Sequence, residues 1–202
     1  MVVSKGKVPS GFTLIELMIT LVVLVILITL AAPSFVDTLD RRRIVDAAET
    51  LSKQVQQARA AAIESNREIS IVFDDSEGSW CFGLTSAAGC DCYETDPTEP
   101  LACRIPLGAL SNLAVAGADF ELVRASGEDF AGVTLQSFPA ELRFEPMRGV
   151  RVDAGTPTIE MVFVSARGRE AHVMVNRLGR VATCSPADAG GSPSVITMRV
   201  CP

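Results

Sequence analysis

Residues 12–32, opening at Phe12, form a run of 21 residues with a single charge, Glu16. At a rise of about 1.5 Å per residue, a helix of that length spans roughly 30 Å, the hydrocarbon core of a bilayer. No other stretch restricts the fold as much, because a segment this apolar must be covered by lipid or by protein. Lys5 and Lys7 precede it, with no acid before the run. A secretory signal also opens with a basic region, but its apolar core is shorter and ends at a small-residue cleavage site. Here the small residue, Gly11, stands before the run, so the span is expected to stay with the mature chain. Glu16 is the anomaly. An acidic side chain at mid-bilayer costs at least ~2.5 kcal/mol, so an acid inside such a segment points to function.

The residues around it carry a resemblance. Gly11-Phe12-Thr13-Leu14-Ile15-Glu16-Leu17 resembles the prepilin signal of type IV pilins and of the pseudopilins of type II secretion. The resemblance implies cleavage between Gly11 and Phe12 by a prepilin peptidase, and methylation of the new Phe12 amine. It also implies a filament-assembly role for Glu16, then the fifth mature residue, through pairing with the cationic N-terminus of a neighbouring subunit. Such pairing offsets the burial of a charge. Lysines before the run and Arg41, Arg42 and Arg43 beyond it leave the positive-inside count undecided. The resemblance sets the orientation instead, because the peptidase acts from the cytoplasm. It implies a single-pass protein of the bacterial inner membrane, with its C-terminal domain in the periplasm and later assembled into a pilus or pseudopilus.

Pro33 falls inside what reads as one long helix, where proline removes a backbone bond and kinks or loosens it. Beyond it, Ile44, Ala48, Leu51, Val55, Ala58 and Ala62 recur at spacings of three and four, the apolar stripe of a helix. Lys53, Gln54, Gln57, Glu64 and Arg67 supply its polar surface. The expected stem covers residues 12–66, with 12–32 in the membrane and the second half packed on a globular domain. The arginine run reads as a solvated, locally paired face of that helix.

From residue 67 onward the pattern changes to period two. Strands are expected at 69–73, 80–84, 132–138, 141–145, 158–165, 171–176 and 194–200, with a hairpin turn at Ala166-Arg167-Gly168-Arg169. Residues 67–202 are enough for one hydrophobic core. The fold class is α+β: a long N-terminal helix packed on an antiparallel β domain, with residues 1–11 as a leader. Within the pilin-like proteins the chain resembles the GspH/FimT family of minor pilins and pseudopilins. Ala31-Ala32-Pro33-Ser34-Phe35, Gln57-Ala58-Arg59-Ala60-Ala61-Ala62 and Asn176-Arg177-Leu178-Gly179-Arg180-Val181 carry that likeness. It implies a low-copy subunit near the filament tip or in the initiating complex, with other pilin or pseudopilin subunits as partners.

Six cysteines, Cys81, Cys90, Cys92, Cys103, Cys184 and Cys201, all follow the stem. An even count confined to an oxidising compartment reads as disulfides. Proximity favours Cys184 with Cys201 and leaves two bridges among the other four. Cys90 and Cys92 are not expected to join each other, since alternate residues of an extended chain make a strained bridge. Cys90-Asp91-Cys92 lacks the C-x₂-C spacing of a zinc knuckle.

Enzymatic chemistry finds no motif. His172, the only histidine, lies in an alternating strand beside Met174 and Asn176, and no serine or cysteine stands in a nucleophile context. Asp74, Asp75 and Glu77 could ligate calcium, but a turn explains the same residues. No cofactor or metal is expected. DNA is the rival partner: some FimT-like pilins bind it through a C-terminal Gly-Arg-x-Arg element, and here Gly179-Arg180-Val181-Ala182 lacks the second arginine. Arg143, Arg148, Arg151, Arg167, Arg169, Arg177 and Arg180 give the last third a basic bias, with Arg177 and Arg180 the nearest counterparts of that element. The formal charge is −6, and loss of Lys5 and Lys7 with the leader takes it to −8. Phosphate binding needs local basic contacts, so the overall acidity makes DNA the less favoured partner.

Overall fold

The computed structural model describes residues 12–86, 88–106, 120–152, 155–187, 194–195 and 197–202. Gly11 and the leader lie outside the described residues. The chain forms two compact units, residues 1–39 and 40–202. One helix, α1 (Leu14–Ser65), supplies the described part of the first unit and the start of the second. Pro33, the expected kink, falls inside α1, whose helical turns continue on both sides.

In the first unit no described side chain of α1 is fully buried, and only Asp37 and Leu39 are partly covered. Its large apolar side chains over residues 14–30 are exposed by between 49% at Val23 and 77% at Leu14. By length and composition this half of α1 is apolar enough to cross a membrane.

In the second unit the same helix is a core element. Ile44, Ala48, Leu51, Val55, Ala58 and Ala62, together with Ala47, are fully buried. Four of those seven residues are alanines, and all seven join the core cluster that also holds residues of the strands. The helix stops at a defined cap. Asn66 takes a left-handed φ of 50°, and the Arg67 amide donates to the Ala62 carbonyl at 3.3 Å. That is the six-to-one bond of a Schellman ending, with asparagine in the place glycine commonly holds.

Two four-stranded antiparallel sheets complete this unit. The first has the order β5 (Arg124–Ser126), β2 (Cys81–Thr85), β1 (Ile69–Asp74), β7 (Glu141–Phe144). The second runs β10 (Val181–Cys184), β9 (Glu170–Asn176), β8 (Thr158–Ser165), β6 (Val133–Ser137). A two-stranded ladder joins β3 (Arg104–Pro106) to β4 (Phe120–Leu122). Strict alternation in β9 puts Ala171, Val173 and Val175 into the core and leaves Glu170, His172 and Met174 on the other face. Trp80 ties the sheets together. Its ring stacks on Phe82 and Phe130, meets Phe163 edge-on, and donates through Nε1 to the Val133 carbonyl at 2.8 Å.

Three disulfides brace the unit: Cys81 with Cys92, Cys90 with Cys103, and Cys184 with Cys201. The first two interleave, pinning the 86–103 loop against β2. Gly83 makes room for them, because a Cβ there would stand 2.5 Å from the Cys103 Cβ. One expected strand is corrected. The described residues of 194–200 contribute only the Ser185 to Val200 bridge, while Val181–Cys184 forms the ladder with β9. The apolar side chains of the C-terminal segment, Val195 and Met198, turn into the core rather than alternating along a sheet. The Ser185 hydroxyl, donating to the Glu170 carbonyl and accepting from the Val195 amide, anchors the start of that segment.

Candidate functional site

The N-terminal site begins at Phe12, which is 84% exposed. Thr13 starts the helix: its hydroxyl accepts the Glu16 amide at 3.3 Å and its carbonyl accepts the Leu17 amide at 3.2 Å. Glu16 therefore occupies the third helical position, where a carboxylate interacts favourably with the unpaired amides and the positive end of the helix dipole. This local duty of Glu16 was missed in the sequence, although threonine three residues before glutamate is the capping signature. Its acid is suited to a helix start before any neighbour arrives.

At the near end of the second unit, Asp40 is the anchor. Its Oδ2 accepts Arg169 Nη1 at 2.6 Å and the Ser165 hydroxyl at 2.9 Å, with both charged side chains largely buried. Arg43 donates to the Ala131 carbonyl at 3.3 Å, so this member of the arginine run is bonded to the β domain. The loop of the β8–β9 hairpin thereby clamps the stem. At the other end Arg59 donates from Nε to the Gly149 carbonyl at 2.9 Å. Gly179, at φ +70°, packs against the same pair: a Cβ on it would stand 2.7 Å from both Arg59 Nε and the Gly149 oxygen. The segments around Arg59 and Gly179, which carried the family likeness, thus meet at one junction.

Arg167 is exposed on the turn between β8 and β9, and the other six arginines that give the last third its basic bias separate into two groups. Arg151, expected among the surface cations, is buried; it donates to the carbonyls of Val175 and Thr156 and joins the two sheets. Arg169 is held by Asp40, Arg143 bonds Glu68, and Arg148 pairs with Glu145. Arg177 and Arg180 are exposed, and no side-chain partner for either occurs among the described residues. His172 sits between two carboxylates, Nδ1 at 2.6 Å from Glu160 and Nε2 at 3.2 Å from Glu170. The Asp74 carboxylate accepts the Ser76 amide at 2.7 Å, and that hydrogen bond holds its pKa below the ordinary value. Asp74, Asp75 and Glu77 thus form a turn, and no group of three metal-ligating side chains occurs among the described residues.

Comparison with known families agrees with this layout. The model of type II transport protein GspH matches residues 47–179, from the buried half of α1 to the Gly179 junction. The chain belongs to the GspH family. The prokaryotic N-terminal methylation motif matches residues 7–32, covering the leader's end, Glu16 and the exposed half of α1. Comparison with curated proteins and with solved structures finds no match. The protein is thus a pilin-like GspH protein with a prepilin-type N-terminus and a candidate membrane anchor in residues 14–30.

Proposed function

We propose that this GspH protein is a minor structural subunit, not an enzyme, of a type IV pilus or a type II secretion pseudopilus. It acts at the filament tip or in the complex that initiates the filament. The observation that supports this reading best is the exposed apolar half of α1 behind a capped acidic start. Such a surface is stable only in lipid or against other helices, and a filament subunit meets both in turn. In that sequence of events the leader is removed after Gly11, Phe12 becomes the methylated terminus, and Glu16 pairs with the terminal amine of an adjacent subunit. The β domain then stands in the periplasm.

Intact-mass analysis from the native host tests the processing step. The mature chain is expected to begin at a methylated Phe12, and Gly11→Arg is expected to retain the leader; an unchanged N-terminus in both proteins would refute it. Glu16→Ala is expected to be cleaved normally but lost from sheared filaments, and normal incorporation would remove the pairing mechanism. Deleting the gene and measuring piliation beside the secreted proteins separates pilus from pseudopilus. DNA uptake is the weaker reading. Arg143, Arg148, Arg151 and Arg169 are bonded within the domain, and of the exposed arginines Arg177 and Arg180 are the counterparts of the Gly-Arg-x-Arg element. A mobility shift at low salt that Arg180→Ala abolishes would revive it.

A further inference from the structure

The edge of a sheet carries unpaired backbone groups, which a chain either covers or offers to a partner. Three of the four edges of the two main sheets are covered. Beside β7, the Val152 amide donates to the Arg143 carbonyl and the Glu145 amide to the Val150 carbonyl. On β5 the Asp129 carboxylate accepts the Ser126 amide at 2.8 Å. Strand β6 shifts register between Leu135 and Ser137, and Trp80 occupies its Val133 carbonyl. Strand β10 is the exception. The Asn176 amide donates to the Arg180 carbonyl, so antiparallel alternation points the backbone groups of Ala182 and Cys184 at β9 and those of Val181, Thr183 and Ser185 outward.

Part of this outward row is taken by the C-terminal segment. The Ser185 amide donates to the Arg199 carbonyl, the Ser185 carbonyl accepts the Cys201 amide, and the Thr183 carbonyl accepts Arg199 Nε at 3.2 Å. The Thr183 amide and both backbone groups of Val181 have no partner among the described residues. The strand itself, Val181–Cys184, holds neither a charge nor a proline, the residues that keep other chains off an edge. A groove of about 370 Å³ lies beside it, lined by Val45 and Glu49 of α1, Thr183 of β10, and Thr197, Met198 and Arg199. Val45 and Met198 are its apolar side chains, while Glu49 and Arg199 are exposed and of opposite sign. Lys53 stands 3.7 Å from Glu49, but both side chains are more than half exposed, so that pair is weak and leaves the acid available. The Cys184–Cys201 bridge and the Ser185 bonds fix the C-terminal wall, so little ordering is needed on docking.

Outward backbone groups two residues apart on an uncharged edge are matched by an extended chain, and side-chain pockets beside the edge select which chain. We infer that an extended segment of a different filament subunit adds as a strand to β10, with an apolar residue seated on Val45 and Met198, a cation at Glu49 and an anion at Arg199. Each copy offers one such edge, so the contact joins two unlike subunits and does not propagate, as a low-copy part requires. The partner's identity as a filament subunit rests on the minor-subunit reading above; the open edge and its groove do not.

The test uses the full chain in its native host, with a benzophenone amino acid in place of Thr197, an exposed residue of the groove. Illumination is expected to give a one-to-one adduct with another prepilin-type subunit, whose cross-linked peptide holds an apolar residue between a basic and an acidic one. Thr183→Pro removes the outward amide and no bond to β9, so it is expected to lower the yield about fivefold, the scale of one hydrogen bond, while Thr183→Val leaves it unchanged. Exchanging the charges, Glu49→Arg with Arg199→Glu, is expected to lower the yield as well, and Trp80 fluorescence during denaturation shows that each variant is folded. No adduct, an adduct with a second copy, with this chain's own residues, with lipid or with a protein of another class, or a yield indifferent to both Thr183→Pro and the charge exchange would overturn the inference. Failure of the filament reading looks different: the adduct forms and responds as described, but the chain is absent from sheared filaments.

Discussion

The two halves of α1 have the same secondary structure and opposite surroundings. Over residues 14–30 every large apolar side chain is at least 49% exposed, while Ile44, Leu51 and Val55 are fully buried. Both halves are rich in aliphatic residues, but only the second confines them to a stripe. Helical periodicity in the second half announces a partner within the chain; its loss in the first announces a solvent that is not water. The difference is therefore one of pattern rather than of hydrophobicity.

The largest effects should fall on the buried half. Leu51→Ala removes a fully buried side chain of the shared core, and a cavity of that kind costs about 2–5 kcal/mol. Leu24→Ala, on the exposed half, should change the stability of the β domain by less than about 0.5 kcal/mol. The single tryptophan, Trp80, lies in the domain core, so its fluorescence during denaturation of the full chain in detergent reads both variants. Equal losses would mean that the two halves are not energetically separate.

The next effect is at the junction where stem and domain turns meet. Gly179→Ala puts a Cβ 2.7 Å from the Gly149 carbonyl at a left-handed φ, and should cost about 1–3 kcal/mol. Arg59→Ala in the same chain should not recover the loss, because the carbonyl remains in the way. Full recovery would assign the strain to the arginine alone.

These contrasts also show what was legible beforehand. The stripe from Ile44 to Ala62 and the alternation in β8 and β9 are periodic signals, and the elements lie where the periods place them. Strands β3, β4 and β5 are three residues each, too short for a period to register. Residues 194–200 carry valine and isoleucine, which fit a strand, but a disulfide and the Ser185 hydroxyl fix the described part of that segment. Charge was the least legible property. Arg169 and Arg177 look alike in sequence, yet one is held by Asp40, 129 positions away, and the other is exposed. No local pattern records a partner at that separation. The interleaving of Cys81, Cys90, Cys92 and Cys103 was open for the same reason.

The smallest effect sharpens the comparison most, because it probes the start of the exposed half. Thr13→Val keeps the shape of the side chain and removes the oxygen that accepts the Glu16 amide. Loss of an N-cap costs about 1 kcal/mol, so the Glu16 amide should exchange roughly fivefold faster in micelles. Glu16→Gln leaves the cap in place and removes only the charge near the helix start, worth about 0.3–1 kcal/mol. If Glu16 acts in assembly through a neighbour's amine, Glu16→Gln should reduce incorporation more than Thr13→Val, despite its smaller effect on exchange. The reverse order would mean that the carboxylate serves the start of its own helix, and that the acid in the apolar run is explained within one chain.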